Sequence, residues 1–137
     1  MSLNHRDAKN AWWTIVFLVV WTLVLLVLMM IPMAENPVPR VGVLRYWDKL
    51  AHVFLFGVTG WVSVYGSRFF RRFGSRLAFG LIFSLFLAFG TESVQAFLSY
   101  RTADVYDLMA DGLGIFMGLF IYLVAYLHEG LRTRLRL

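Results

Sequence analysis

The 137-residue sequence has no cysteine, which excludes disulfides, thiolate metal sites and a cysteine nucleophile and leaves the redox compartment undetermined. Charge is scarce, at 15% of residues, against about 25% in soluble domains. The three prolines all fall between Pro32 and Pro39, so none interrupts a long apolar run. Also missing are G-x-S-x-G, H-E-x-x-H and a phosphate-binding glycine loop, and with them the usual signatures of hydrolases and nucleotide binders. No Ser/Gly-rich linker, low-complexity tract or internal repeat divides the chain, which reads as a single domain over residues 1–137.

What is present is apolar. Hydrophobic residues make up 60% and aromatics 18%, and the mean hydropathy is +0.69, well above the soluble-domain range of about 45–50% apolar residues. These values predict a membrane protein. The net charge of +5 then reads as cytoplasmic loops and headgroup contacts rather than as a nucleic-acid surface. No nucleic-acid partner is expected, and membrane lipids are.

Four apolar runs predict an all-α integral membrane four-helix bundle with spans at about 11–31, 50–66, 77–98 and 108–127. The first, Ala11 to Ile31, carries no charge and is too long for the roughly 7–15-residue apolar core of a cleavable signal peptide. Lys and Arg are distributed nine to one side and four to the other. Arg6, Lys9, Arg68, Arg71, Arg72, Arg76, Arg132, Arg134 and Arg136 oppose Arg40, Arg45, Lys49 and Arg101, which puts both termini in the cytoplasm. Trp12 and Trp13 at one end, and Tyr46, Trp47, Tyr100 and Tyr106 at the other, suit interfacial belts. His5 and His128 fall at the inner side and read as incidental.

Against this background one stretch, "ESVQAFLSYRTADVYDLMAD" from Glu92 to Asp111, is unusually polar. With the predicted topology, Asp48, Lys49, His52, Glu92, Gln95, Arg101, Asp104, Asp107 and Asp111 all fall at the outer end of the bundle. Spacing groups them by face: Asp48 and His52 are four apart, Glu92 and Gln95 three apart, and Asp104, Asp107 and Asp111 follow i, i+3, i+7. An ionisable group at membrane depth costs roughly 2.5–3.5 kcal/mol at a helix centre, so these side chains should face inward. Five acids against Lys49 and Arg101 leave an excess of negative charge that invites a cation, a proton or a hydrogen-bond donor.

Each residue also has a purely structural reading. Asp48 suits the N-cap of the second helix, Lys49 a snorkelling cation, and His52 a core imidazole with Asp48 four residues before it. Glu92, well inside an apolar run, pairs in the structural reading with Arg101 or Lys49. Gln95 suits a helix bridge, Arg101 a headgroup anchor or a bidentate partner of carboxylate or phosphate, Asp104 a cap and Asp107 a first-turn carboxylate. Asp111 lies deeper and is harder to assign to a cap. Ala110, Gly114 and Gly118 form a small-residue stripe read as packing within one chain, which leaves a homo-oligomer open.

The ordered motifs "DKLAH" (Asp48 to His52), "ESVQAF" (Glu92 to Phe97) and "RTADVYDLMADGLGIFMG" (Arg101 to Gly118) resemble the VanZ-like family of small bacterial membrane proteins, over about residues 46 to 120. The resemblance carries over to Asp48, Lys49, His52, Glu92, Gln95, Arg101, Asp104 or Asp107, Gly114 and Gly118. One position departs from it: Asp111 stands where the resemblance leads to Asn, adding an ionisable group. The resemblance implies a multi-pass protein of the bacterial cytoplasmic membrane, associated with the cell envelope and with teicoplanin-type glycopeptide resistance.

Function then divides by class. The preferred reading is a binding or accessory protein whose outward polar site holds a lipid headgroup or an element of a lipid-linked cell-wall precursor, with no cofactor and no resident metal. Its rival is a membrane enzyme acting on a lipid-linked substrate through His52 and Glu92, with or without a divalent cation. A small exporter would place a charge at the middle of the first span, where there is none. The polar cluster could also serve only to hold the short second helix in place.

Overall fold

A proline-free and glycine-free apolar run satisfies its backbone most simply as a helix, and the computed structural model of the protein begins with one, α1 (His5–Met30). The structure describes residues 5–30, 43–98 and 105–135, with side chains over 12–30, 47–98 and 105–133. Three further helices follow: α2 (Val43–Gly66), α3 (Phe73–Ala96) and α4 (Val105–Leu135). No strand occurs among the described residues.

The helix bounds differ from the sequence expectation in an instructive way. α2 starts at Val43, directly after Gly42 and well before residue 50, because no helix breaker lies between Gly42 and Gly57. Asp48 is therefore interior to the helix, and its expected N-cap role is overturned. α3 begins at Phe73 rather than at 77, and ends at Ala96 where the Phe97 and Leu98 amides fold back onto Val94 and Gln95 at 3.0 Å. α4 continues past residue 127 to Leu135, and its residues from Val124 to Thr133 are all exposed.

Three helical segments, Trp12–Met30, Phe73–Ala96 and Val105–Thr133, are long and apolar enough to cross a membrane. α2 is not among them, since it carries Arg45, Asp48, Lys49 and His52 in its first three turns. It compensates by position. α2 packs against all three other helices and most extensively against α4, while α1 rests on α2 and α3. Phe56, Thr59, Val62, Ser63 and Val64 of α2 are all buried.

Small residues set how closely α2 and α4 approach. A Cβ on Gly118 would meet the Gly57 carbonyl, and one on Gly114 would meet Val53 O and lie 2.9 Å from Gly57 N. From the other side, a Cβ on Gly60 would lie 2.9 Å from Ile115 O. Backbones this close are the geometry small-residue stripes permit, and here the partner is another helix of the same chain. The core that results comprises Leu25, Met29, Phe56, Leu87, Ala88 and Ile115.

Neighbouring contacts fix the directions. Trp21 meets Thr59, and Ser63 meets Ser84, so α1 and α3 run against α2, whereas Lys49 meets Asp107 and His52 meets Asp111, so α4 runs with it. The first turns of α2 and α4 consequently share one end of the bundle with the last turns of α1 and α3. The opposite end is aromatic: Phe73 stacks on Tyr126 at 4.0 Å, and Arg68 lies 3.9 Å from the Tyr65 ring centroid.

Candidate functional site

At the shared end, the polar residues form two rungs between α2 and α4. Lys49 Nζ donates to Asp107 Oδ1 at 2.6 Å, and the ammonium stands 5.5 Å from the centre of the Tyr106 ring. Three residues further along α2, His52 Nδ1 lies 2.7 Å from Asp111 Oδ1. The upper rung is partly open, with the Lys49 side chain 25% exposed, while the lower is sealed, at 2% for His52 and 0% for Asp111.

The four-residue spacing of Asp48 and His52 suggested a pair within α2, but the hydrogen-bond partner of His52 is Asp111 on α4. Asp48 still belongs to the cluster: ligand atoms of Asp48, His52 and Asp107 lie within 4.8 Å of one another. A second trio at the same distance joins His52, Asp111 and Glu92, so α3 contributes to the same recess. Among the described residues, buried His52 Nε2 and Asp111 Oδ2 have no hydrogen-bond partner. Such atoms are costly in a low-dielectric interior and are where binding chemistry is sought first.

Gln95 sits in the same end with a different task. Its Nε2 donates to Met29 O at 2.9 Å, and the side chain is 2% exposed. Met29 is in the last turn of α1, where carbonyls lack helical partners, so Gln95 satisfies one of them and ties α1 to α3. Arg101 and Asp104 lie outside the described residues. Of the other expected residues, Asp48, Lys49, His52, Glu92, Asp107 and Asp111 come together, and Ala110, Gly114 and Gly118 are buried beneath them on α4.

Two features escaped sequence reasoning. The first is a buried tier of hydroxyls below the site: Trp21 Nε1 donates to Thr59 Oγ1 at 3.1 Å, Ser63 Oγ to Thr59 O at 2.6 Å, and Ser84 Oγ to Ser63 Oγ at 3.4 Å. Its signal was Thr59, Ser63 and Ser67 at i, i+4 and i+8, masked by the apolar residues around them. The second is an apolar groove of about 480 Å³ between α2 and α4, lined by Leu50, Val53, Phe54, Gly57, Val58, Trp61, Met117, Gly118 and Ile121. Gly57 and Gly118 create its floor by leaving no side chain there. Lys49 precedes Val53 by one turn on the same face of α2, so the groove begins where the polar recess ends.

An open ammonium, a cluster of carboxylates, a carboxylate-held imidazole and an apolar groove can together bind an amphiphile, hold a cation or move a proton. Comparison with known proteins narrows the lineage. The chain is 32% identical over 89 residues to an uncharacterized protein of Schizosaccharomyces pombe, covering 65% of this chain and 54% of that one, so it spans about half the length of that relative. No solved structure matches it. The model of the VanZ/LLP1 family matches residues 4–126, nearly the whole chain, and together with three helices fit to cross a membrane this places the protein: it belongs to the VanZ/LLP1 family.

Proposed function

We propose that the protein is a multi-pass membrane protein of the bacterial cell envelope that binds an amphiphile, a lipid headgroup or an element of a lipid-linked cell-wall precursor, at the α2–α4 end of the bundle. The observation that carries this reading is Lys49, a partly open ammonium one helical turn from an apolar groove of about 480 Å³. The ammonium suits a phosphate or carboxylate, and the groove suits the first methylenes of an acyl or prenyl chain. Asp48, Asp107 and Glu92 supply acceptors for headgroup hydroxyls or amines. Arg101 and Asp104, by their place in the sequence beside this end, would add a second cation and another acceptor.

In this reading α2 crosses the membrane with the other three helices, shielded by them, and both termini are cytoplasmic, as the Lys/Arg bias favours. The site then opens on the outer face, where lipid-linked envelope precursors are consumed. A role in teicoplanin-type glycopeptide resistance would follow from holding such a precursor. A second reading, acid–base catalysis on a lipid-linked substrate, draws support from the His52–Asp111 contact, because an imidazole fixed by a carboxylate at one nitrogen is the arrangement a general base uses.

The test is retention of lipid. Native mass spectrometry of protein extracted in mild detergent is expected to find one lipid class bound to the wild type. It should be lost in Lys49→Gln and diminished in Glu92→Gln, with the helical circular dichroism of both variants unchanged. Equal retention by folded Lys49→Gln and wild type would end the proposal.

A further inference from the structure

From the lower rung of the site we infer that His52, Glu92 and Asp111 form a binding site for one divalent transition-metal ion, of the class to which Zn²⁺ and Mn²⁺ belong. Three helices each contribute one residue: α2 the imidazole, α3 one carboxylate and α4 the other. One ligand atom from each lies within 4.8 Å of the other two. Ligands about 2.0–2.2 Å from a zinc-sized ion stand roughly 3 Å apart, so the trio would close in by up to about 1.5 Å around one ion and leave a fourth position for water. His52 Nδ1 and Asp111 Oδ1 hold each other at 2.7 Å, which leaves His52 Nε2 and Asp111 Oδ2 as the atoms an ion would take.

Burial points the same way. His52 is 1% exposed and Asp111 0%, yet His52 Nε2 and Asp111 Oδ2 lack hydrogen-bond partners among the described residues. Each would otherwise remain desolvated and unsatisfied, a cost an ion removes. Around them stand Asp48, Asp107, Asp111 and Glu92, with Lys49 the cation facing Asp107 on the upper rung. One imidazole nitrogen with carboxylate oxygens is a donor set for a borderline ion rather than for Ca²⁺ or Mg²⁺, which prefer oxygen alone.

The inference shares Glu92 with the amphiphile reading but does not depend on it, because the sealed pair His52 and Asp111, rather than Lys49 and the groove, carries it. Tag-free full-length protein in detergent is stripped with chelator and dialysed against Zn²⁺, and bound metal is then counted by plasma mass spectrometry. One ion per chain is expected in the wild type and in Lys49→Gln. His52→Ala and Asp111→Asn should each weaken binding by more than the roughly 10–100-fold that a changed outer-shell partner costs, and Glu92→Gln by at least about 10-fold. Should His52→Ala fail to fold, the visible spectrum of the Co²⁺-loaded wild type against the near-isosteric Asp111→Asn provides the same decision. Absence of stoichiometric metal in the wild type, or equal retention by folded Asp111→Asn and Glu92→Gln, overturns the site. Stoichiometric metal with equal lipid retention by wild type and Lys49→Gln sinks the amphiphile reading alone, and lipid lost in Lys49→Gln with no metal in the wild type sinks the metal site alone.

Discussion

Lys49 and Asp107, separated by 58 positions in the sequence, meet at 2.6 Å across the α2–α4 seam, the upper of two rungs whose lower member is His52 and Asp111. The upper rung is partly open and the lower one closed. That gradient lets one cluster offer an accessible charge at its mouth and an unsatisfied donor set at its base.

Removing one member of the upper rung should cost more than removing both. Lys49→Met leaves Asp107, 8% exposed at its side chain, without the ammonium now at 2.6 Å. A broken buried pair costs about 3–5 kcal/mol, reduced here by the exposure of Lys49 to about 1–3 kcal/mol, whereas an apolar replacement of both partners is often neutral. A double-mutant cycle with Lys49→Met and Asp107→Leu, read by reversible unfolding in detergent, measures this. A double variant no better than the worse single one would show that the pair is not the source of the cost.

Glycine contacts predict opposite signs along one helix. Gly118→Ala places a methyl against the Gly57 carbonyl, a backbone atom that cannot rotate away, and should destabilise by about 1–3 kcal/mol. Gly112, two residues before Gly114, meets nothing within 4 Å. Gly112→Ala should therefore be neutral or stabilising by up to about 1 kcal/mol, since alanine favours the helix. Melting temperatures of the two variants, compared in the same detergent, decide it.

Gln95→Leu tests the tie between α1 and α3. It leaves Met29 O without the donor now at 2.9 Å, for a loss of about 1–3 kcal/mol. Hydrogen exchange should quicken in the last turn of α1 and stay unchanged in the half of α4 beyond Ile115. Uniform acceleration throughout would instead mark a global effect.

Removing Asp111 isolates the lower rung. Asp111→Leu strands a His52 imidazole that is 1% exposed, and chemical unfolding should register a loss of about 2–4 kcal/mol. Asp111→Asn keeps an acceptor for Nδ1 and should lose less. The order of the two variants is the measurement that matters.

Much of this was legible before any coordinates. The charge-free run from Ala11 to Ile31 could be little but a helix, and polar residues at three- and four-residue spacings had to share faces. Pairing was not legible, because spacing within a helix says nothing about its register against another. His52 has Asp48 four residues away in sequence, yet bonds Asp111, since close contact of Gly57 with Gly114 and Gly118 sets the α2–α4 register. The start of α2 was misjudged for a different reason: hydropathy locates where lipid is tolerated, while Gly42 and Pro39 mark where helix stops, and the two limits lie seven residues apart. Hydroxyls such as Ser63 and Ser84 escaped notice because a serine bonded to its own helix looks apolar to the pattern.

The parallel α2–α4 seam also dictates an order of assembly. Lys49 and His52 are synthesised 58 and 59 residues ahead of their partners Asp107 and Asp111, so α2, which is not apolar enough by itself to cross a membrane, cannot make these contacts until α4 has been made. The seam thus closes only once α4 has followed α2 and α3 in the chain.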